Sequence, residues 1–296
     1  MKSVYLLCGI SKQAHHQALE RAKALEEKEA AYVGFMLEVR EMHPGMGLRT
    51  MHDHFRPEGI GRDAFIALGL AEGFRLAVVK NHVRTTLSVK NRRYKNLLGG
   101  RRFTDVNQLW SSDLFYFSLN GRHYYVVLIM DVYSRRIVGY SVADNMRAQN
   151  NVAALRMALT LRGVANFEGS LVHHSDRGSQ YVSDDYTELL EEYGILISMC
   201  NDVYENTHIE RANGTIKNDY LNRWDIQDER TLFRFVTRAV ESYNQRPHRS
   251  LPKRMTPIAF ESYIKELEDE KRTVMEIYTV CNQKSDNPRQ LELNFG

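Results

Sequence analysis

Three acidic residues lie in three unrelated local sequences, and each has the setting expected of a carboxylate held at a fixed point. Asp113 lies in WSSDLFYF, an aromatic and apolar pattern typical of a buried strand. Asp176 follows SLVHHS, a short apolar strand that ends in polar residues and Gly178. Glu210 lies in NTHIERANGTIKNDYL, which predicts a helix opened by Asn206 as its cap. Two strands and one helix would thus deliver three carboxylates to one cluster.

Such a trio suits phosphoryl transfer. In-line attack on a phosphodiester places charge on the attacking and leaving oxygens, and two divalent ions about 3.5–4 Å apart stabilise both. Carboxylate oxygens are the ligands that Mg²⁺ and Mn²⁺ prefer in proteins. Taken singly, each acid is also explained as an ordinary surface or capping residue. Together, Asp113, Asp176 and Glu210 predict a site for two Mg²⁺ or Mn²⁺ ions.

Five strings of the chain resemble, in order and spacing, the catalytic protein of IS-three-family insertion sequences. They lie within roughly residues 40–262 and are WSSDLFYF, MDVYSRRIVGYSV, HHSDRGSQYVS, SMCNDVYENTHIERANGTIKNDY, and SYNQRPHRSL followed by TPIAF. The family consists of DDE transposases, similar in their catalytic core to retroviral integrases. The resemblance implies DNA cleavage followed by strand transfer, with Asp113, Asp176 and Glu210 as the catalytic and metal-binding acids.

The spacing departs from the family pattern at one place. The family usually has thirty-five residues between its second Asp and its Glu, whereas 33 residues separate Asp176 from Glu210. The shortening falls between Met199 and Glu205, in a loop that can lose two residues because the cost of closing a loop changes slowly with length. The departure therefore concerns the substrate-facing loop. Glu205 is the nearest alternative to Glu210 as the third acid.

Composition limits the class of protein. A chain of 296 residues with 43% hydrophobic content suits two or three small domains with at least one sizeable core. No run approaches the roughly 18 consecutive apolar residues of a membrane span, and no convincing cleavage site follows the short apolar stretch near the start. Cys8, Cys200 and Cys281 have no paired spacing that would indicate a disulfide framework or a zinc site. A cytoplasmic location fits these features best.

Positive charge is concentrated in the first third of the chain. Residues 1–104 carry 18 Lys and Arg against 10 Asp and Glu, a net +8, so the remaining residues carry −5. The segment from Arg75 to Arg102 holds nine basic residues and no acid. This pattern is typical of a segment that follows a phosphate backbone, although a solvated linker would also show it.

The first 74 residues predict helices. Residues 1–42 read as a helical arm, with Ser11 capping the run KQAHHQALERAKALEEKEA. Residues 43–74 outline two short helices around a turn that contains Gly59 and Gly61, which is the pattern of a helix-turn-helix unit. Simple helix pairing gives the same outline, but the family carries a similar segment here, which favours DNA binding.

After the basic segment the periodicity changes to that of strands. The Asp113 strand precedes two apolar runs, RHYYVVLIMD and RRIVGYSV, that predict an antiparallel hairpin. A helix that stops at Gly163, the strand before Asp176, a helix opened by Ser183, the strand ILISM and the Glu210 helix follow. This order indicates an α/β, RNase H-like core with a mixed five-stranded sheet flanked by helices. Its first and fourth strands are neighbours, so Asp113 and Asp176 should meet.

The remaining segments predict supporting structure. Asp131 belongs to the predicted hairpin turn, where Asp and Ser accept local hydrogen bonds, so we assign it a structural role. Residues 229–263 predict helix with a break at Arg246 and Pro247, and IKELEDEKRTVMEIY predicts a charged helix.

Basic and amide side chains near the acids are candidate DNA contacts. One face of the predicted Glu210 helix would carry Asn206, Glu210, Asn213 and Lys217, because these residues are three or four positions apart. This face could bind a metal and a phosphate, or it could simply be solvated. The resemblance places Lys217 near the DNA end and a His before the Ser-Asp pair, so His174 would orient the acid or touch DNA. The predicted DNA contacts are Lys217, Asn213, Asn206, His174, Arg177, Arg49, Arg62, Arg92, Arg93, Arg101, Arg102, Arg246, His248 and Arg249.

The predicted organisation has five parts. They are an N-terminal arm (1–42), a helix-turn-helix-like segment (43–74), a basic linker (75–104), the catalytic core (105–225) and a C-terminal helical extension and tail (226–296). The resemblance implies that the partners are the element's terminal inverted repeats and target DNA, and that the chain acts as a homo-oligomer on DNA.

The start MKSVYLLCGISKQ resembles a downstream-frame product, which family members often make as a fusion to an upstream-frame helix-turn-helix protein. Two alternatives to a transposase are an RNase H-like nuclease without strand transfer and a non-catalytic DNA-binding regulator.

Overall fold

The computed structural model describes residue 9 and residues 11–77, 94–200 and 206–277. Its helices are α1 Lys12–Met42, α2 Leu48–Phe55, α3 Arg62–Ala71, α4 Ala148–Arg162, α5 Asp184–Glu192, α6 Thr207–Thr215, α7 Glu229–Asn244 and α8 Pro257–Glu266. Its strands are β1 Arg102–Phe103, β2 Leu109–Leu119, β3 Arg122–Asp131, β4 Ile137–Ala143, β5 Val172–Ser175, β6 Leu196–Met199 and β7 Met275–Glu276. A π-helical turn, Ile216–Tyr220, continues α6.

Five of these strands form one mixed sheet in the order β4-β3-β2-β5-β6. β3 and β4 are antiparallel, and β5 is parallel to both β2 and β6. The α/β fold class, the five-stranded sheet and the hairpin predicted from the sequence are therefore confirmed. β5 and β6 have four residues each. Every residue of β5 is buried, as expected of a parallel strand that is covered on both faces.

Helix α4 packs closely on β4. A Cβ atom added at Gly139 would overlap the Ala154 carbonyl oxygen, so only glycine permits this approach. The helix ends as predicted at Gly163, whose φ of 62° is left-handed and suits glycine. The main apolar cluster of this part of the chain comprises Trp110, Val127, Ile129, Val138, Ala154, Leu155, Ala158, Leu159, Phe167, Leu171, Tyr181, Tyr186, Leu189, Leu190, Ile195 and Met199.

The N-terminal helices have a separate small core. Helix α1 begins as predicted, because the Ser11 hydroxyl accepts a hydrogen bond from the Ala14 amide at 3.0 Å. The two short helices expected around the glycine-containing turn are present as α2 and α3. The buried residues of this small core are Met36, Val39, Met46, Leu48, Met51 and Phe65.

The charged C-terminal helix was a wrong prediction beyond Glu266. Helix α8 ends there, and β7 instead pairs antiparallel with β1, joining Glu276 to Arg102. The pairing partner is distant in the sequence, so no local periodicity could indicate it. The break predicted at Arg246 and Pro247 is present and is longer than expected, since residues 245–256 separate α7 from α8.

By internal contacts, the described residues divide into two compact units. One comprises those within 1–86, 116–124 and 211–260, and the other those within 87–115, 125–210 and 261–296. The five-part division predicted from the sequence stays a prediction. Among the described residues, no helix is long and apolar enough to span a membrane.

A buried ion cluster ties α8 to the β3–β4 hairpin. Glu261 receives two hydrogen bonds from Arg162, at 2.7 and 2.9 Å, and one from Arg136 at 2.6 Å. The hydroxyl of Ser134 donates to Glu261 at 2.7 Å, and Asp131 accepts from Arg162 at 3.2 Å. Burial raises the pKa of Glu261, but the hydrogen bonds and charge of Arg162 together lower it below its ordinary value.

Asp131 has the structural role predicted for it, since it accepts a hydrogen bond from the Ser134 amide at 3.0 Å within the turn. It also accepts from the Asn107 amide at 2.7 Å and is fully buried.

We predict that Glu261→Gln strongly destabilises the protein. Removing this carboxylate leaves Arg162 and Arg136 with fewer compensating charges in a buried site, a change that typically costs about 3–5 kcal/mol. The free energy of unfolding, measured in urea, checks this. Glu266→Gln, at an exposed position on the same helix, is the control and should change it by less than about 0.5 kcal/mol. Equal effects of the two substitutions would contradict a stabilising ion cluster.

His43, which follows α1, is buried, and its Nδ1 lies 3.0 Å from the Tyr220 hydroxyl. Burial first, and then the charges of Arg246 and His54, lower its pKa to about 4. The unfolded chain therefore binds more protons than the folded chain between about pH 4 and pH 6.5, the ordinary value for His. Stability attributable to His43 is present above that range and decreases as the pH falls through it.

We predict that wild-type stability decreases by up to about 1.4 kcal/mol per pH unit through His43 as the pH falls from 6.5 towards 4. His43→Gln keeps a neutral hydrogen-bonding side chain but does not titrate, so its stability should fall less steeply. Urea unfolding at several pH values measures both slopes, and parallel slopes would rule out a contribution from His43.

Candidate active site

Asp113 and Asp176 lie on neighbouring strands at corresponding positions. In the parallel pair β2–β5, Ser112 is the partner of Ser175, and each aspartate is the next residue along its chain. The expectation that the first and fourth strands of the core are neighbours is therefore confirmed. The pairing brings two of the three predicted acids together.

The two carboxylates share a partly desolvated region beside Tyr181. Burial raises the pKa of Asp176, although its carboxylate accepts a hydrogen bond from the Gly178 amide at 2.9 Å. The buried Tyr181 hydroxyl lies 3.0 Å from the Ser112 hydroxyl. Its pKa is raised well above the ordinary value, first by burial and then by the negative charges of Asp176 and Asp113. Both carboxylates therefore lie close enough to this hydroxyl to disfavour its ionisation.

The helix that carries Glu210 is tied to β2 immediately before Asp113. Asn206, buried at the start of this helix, donates from its side-chain nitrogen to the Ser112 carbonyl oxygen at 3.2 Å and accepts from the Ser111 hydroxyl. Glu210 lies one helical turn later and is exposed. The side chain that we predicted to contact DNA is thus occupied in joining the helix to the strand that bears Asp113.

The chemistry of the acids suits a hard divalent cation, but their arrangement is incomplete. All three candidate ligands are carboxylates, and Asp113 and Asp176 are close enough to act on the same tyrosine. Within residues 11–77, 94–200 and 206–277, no three His, Cys, Asp or Glu side chains are grouped so that they could hold a metal ion. The structure therefore brings Asp113 and Asp176 together but does not gather Glu210 with them.

The histidines of β5 are internal. His174 is buried between Ser198, whose hydroxyl is 2.9 Å from Nδ1, and Cys200, whose sulfur is 3.0 Å from Nε2. Burial lowers its pKa to about 4. His173 points to the other face of the sheet, where its Nε2 lies 2.9 Å from the Tyr186 hydroxyl, and burial lowers its pKa to about 3. In this arrangement His174 joins β5 to β6 and does not face solvent, contrary to its prediction as a DNA contact.

The other predicted DNA contacts near the acids differ in exposure. Arg177 donates from Nε to the Cys200 carbonyl oxygen at 2.8 Å. Asn213 is buried, whereas Lys217, in the π-helical turn, is half-buried with its ammonium 4.3 Å from the centre of the Tyr116 ring. Burial lowers the pKa of Lys217. The predicted polar face of this helix is thus not a single solvated surface.

The basic residues of SYNQRPHRSL have different environments. Arg246 forms an ion pair with Asp219 at 2.6 Å, and the His248 ring packs edge-on against Tyr243 with centroids 4.7 Å apart. Arg249 is exposed. Only Arg249 of the three therefore presents its side chain mainly to solvent.

The remaining predicted contacts lie in the N-terminal part. Arg49 and Arg62 are exposed, and Arg62 pairs with the adjacent Asp63 at 2.9 Å. Arg101 is half-buried, and Arg102 pairs with Glu276 at 3.1 Å. Arg92 and Arg93, most of the basic segment, and residues 201–205 of the shortened loop lie outside the described residues.

Sequence reasoning missed the supporting polar residues Ser111, Ser112 and Tyr181. The only local signal was the Ser-Ser pair directly before Asp113, in a strand that is otherwise aromatic and apolar. Their hydrogen bonds connect β2 to Tyr181 and to Asn206, which are far away in the sequence.

Comparisons with known proteins agree with this architecture. An integrase core domain model matches residues 104–203, and a second model of the same description matches residues 196–257. The chain is 31% identical over 257 residues to the transposase for insertion sequence element IS629 from Shigella sonnei, covering 82% of each protein. It is 28% identical over 264 residues to the insertion element IS600 uncharacterized 31 kDa protein of Shigella sonnei, covering 85% of this chain and 95% of that protein.

Among solved structures, the chain is similar to the HTLV-2 integrase catalytic core domain in complex with magnesium. The TM-score is 0.43 and the identity 21%, over 53% of this chain and 97% of that chain.

We predict that the hydrogen bonds between Asn206 and Ser111 make a measurable contribution to stability. Asn206→Ala leaves buried groups of Ser111 and Ser112 without their partner, which costs about 1–3 kcal/mol. In a double-mutant cycle with Ser111→Ala, the two losses should be less than additive because the residues are in contact. Urea unfolding of the four proteins measures the coupling, and full additivity would show that the contact contributes nothing.

Proposed function

This chain belongs to the insertion-sequence transposases with an integrase catalytic core, and we propose that it cleaves and joins DNA strands during transposition by a two-metal mechanism. Transposase activity follows from the family. The two-metal route, the catalytic roles of Asp113, Asp176 and Glu210, and the DNA contacts are the proposed part.

The observation that carries the proposal is the pairing of β2 with β5. It sets Asp113 and Asp176 side by side at the Tyr181 end of the paired strands, where both carboxylates raise the pKa of one buried tyrosine. A pair of acids in a polar, partly desolvated setting is typical of a site for divalent cations.

The proposed reaction has two chemical steps. In the first, a water oxygen attacks a phosphorus at the end of the element, the bond to the 3′ oxygen breaks, and a 3′-hydroxyl and a 5′-phosphate remain. In the second, that 3′-hydroxyl oxygen attacks a phosphorus of another strand, forms a new phosphodiester and releases a different 3′-hydroxyl. Mg²⁺ or Mn²⁺, when bound, would supply charge neutralisation at the attacking and leaving oxygens.

The chain's own residues would hold and orient this site. Asp113, Asp176 and Glu210 would be the ligands, and Glu210 would have to approach the two aspartates on DNA or metal binding. Asn206 would keep the start of the Glu210 helix against β2 through Ser111 and Ser112. Such supporting hydrogen bonds are what keep metal ligands within the narrow range that catalysis requires.

Contacts to DNA are proposed for the predicted basic residues with exposed side chains, Arg49, Arg62, Arg102 and Arg249. Lys217 is a further candidate, because the Tyr116 ring would hold its ammonium in place while leaving it half-exposed. The element's inverted repeats and target DNA would be the substrates.

We also infer an oligomeric assembly, because two element ends require two active sites. Association with an upstream-frame helix-turn-helix protein would supply recognition of the ends.

We predict that Glu210→Gln reduces DNA cleavage and joining by at least about 100- to 1,000-fold, the size of losing one group that stabilises developing charge. The assay uses Mg²⁺ and a supercoiled plasmid carrying the flanking inverted ends, with and without the upstream-frame protein. Glu205→Gln is the matched control, since Glu205 is the nearest alternative acid, and it should retain activity.

Four outcomes of this assay distinguish the candidate functions and the third acid. Nicked and joined products that disappear only with Glu210→Gln support the transposase mechanism, whereas nicking without joining indicates a nuclease. Loss of activity with Glu205→Gln but not Glu210→Gln would move the third acid to Glu205. An inactive wild type that still binds the ends would contradict the proposal and indicate a regulator.

A further inference from the structure

A basic pocket lies where the turn between α2 and α3 meets the loop that precedes α8. The pocket has a volume of about 680 Å³ and is open on one side. Its lining residues are His52, Asp53, Arg56, Pro57, Ile60, Lys253 and Arg254. None of its basic residues is among the DNA contacts predicted from the sequence.

We propose that this pocket, the turn–loop pocket, binds a phosphate group of the DNA backbone. Its lining contains the basic side chains of Arg56, Lys253 and Arg254, against the single carboxylate of Asp53. Guanidinium and ammonium groups that surround a concave surface suit a phosphate, because several donors can reach its oxygens together. The proposal rests on the proposed function only in taking DNA as the source of that phosphate.

The backbone at all three cationic residues adopts an uncommon conformation. The φ angles are 46° at Arg56, 50° at Lys253 and 55° at Arg254, all in the left-handed region that favours glycine. A non-glycine residue held there usually costs free energy, and such strain concentrates at binding sites. At these positions glycine would relieve the backbone strain, so a glycine substitution there removes the charge without straining the fold.

The turn is held in place from several directions. The Tyr32 hydroxyl of α1 donates to the Glu58 carbonyl oxygen at 2.7 Å, and the Lys28 ammonium donates to the Gly59 carbonyl oxygen at 3.3 Å. His52 Nε2 lies 3.2 Å from the carbonyl oxygen of Ile60. Hydrogen bonds within the protein therefore fix the turn side of the pocket.

The loop side of the pocket is equally well connected. Arg254 forms an ion pair with Asp53, which links the loop to α2 and lowers the pKa of Asp53 through that hydrogen bond. The Arg254 amide bonds the Leu251 carbonyl oxygen at 3.0 Å, and the Met255 amide bonds that of Pro252 at 3.0 Å. Arg254 therefore contributes mainly to the structure of the loop, while Arg56 and Lys253 are exposed at the pocket.

The position also suits a backbone contact. In a helix-turn-helix unit the first helix crosses the phosphate backbone while the second enters the major groove. Asp53 lies on α2, and Arg56 is the residue directly after the end of α2. The pocket therefore lies at the end of the first helix. A phosphate there would be contacted by the turn and by the 251–254 loop together.

Glycine substitutions in the pocket remove a positive charge without adding backbone strain. Arg56 is the left-handed residue that ends α2, the position at which glycine is most favourable, so Arg56→Gly should fold with unchanged or higher stability. Lys253→Gly should behave in the same way. If the side chains bind phosphate, each substitution weakens DNA binding several-fold and lowers the slope of log affinity against log salt by about 1.

The test measures binding of a fluorescent DNA duplex of arbitrary sequence by anisotropy at several salt concentrations, without divalent metal. Thermal unfolding is recorded for each protein. Arg56→Lys keeps the charge and should retain the wild-type slope within error. Arg234→Ala removes an exposed arginine of α7 outside the pocket and is the control for loss of surface charge.

Unchanged affinity and slope in both glycine variants would overturn the proposal, as would an equal change in Arg234→Ala. Calorimetric titration with inorganic phosphate provides a second arm. Phosphate binding that is lost in Arg56→Gly while DNA affinity is unchanged would identify a small-anion site and also overturn it. Because binding is measured without metal, failure here is distinct from failure of the cleavage assay with Glu210→Gln.

Discussion

The parallel pairing of β2 with β5 is the constraint on which the candidate active site depends. It matches Ser112 with Ser175 and so places Asp113 beside Asp176. A shift of one residue in this register would turn every side chain of one strand to the opposite face. Because both faces of β5 are buried, such a shift in β5 would exchange His173 and His174 between the faces and break their buried hydrogen bonds. The packing of the sheet thus keeps the two carboxylates at these positions.

Buried polar groups extend that constraint to the surrounding elements. His174 connects β5 to β6, His173 connects β5 to α5, and Asn206 connects the start of the Glu210 helix to β2. Each of these groups would be costly to bury without a partner, so the elements are held in one arrangement. A rigid frame of this kind favours a site that has to hold charged ligands at fixed separations. The frame holds the two aspartates directly, whereas Glu210 is exposed and lies one helical turn beyond Asn206.

The basic residues fall into two classes that charge alone does not separate. Arg162 and Arg136 neutralise Glu261 in a buried cluster, and Arg246 pairs with Asp219. Arg56, Lys253 and Arg249 are instead exposed. The first class contributes to the folded structure, whereas the side chains of the second face solvent. Arg56 and Lys253 also have a left-handed backbone, a feature that no charge count would show.

Local sequence was sufficient for most elements, because alternation, apolar runs and caps are properties of neighbouring residues. The β3–β4 hairpin, the stop at Gly163 and the helices around the Gly59 turn were all predicted in this way, and the order of strands led to the sheet and to the meeting of Asp113 with Asp176. Local sequence did not predict four other features. They are the β1–β7 pair, the Glu261 cluster, the internal positions of His174 and Asn206, and the turn–loop pocket. Each depends on residues far apart in the chain, and only their folded proximity determines whether a polar side chain faces a partner or the solvent.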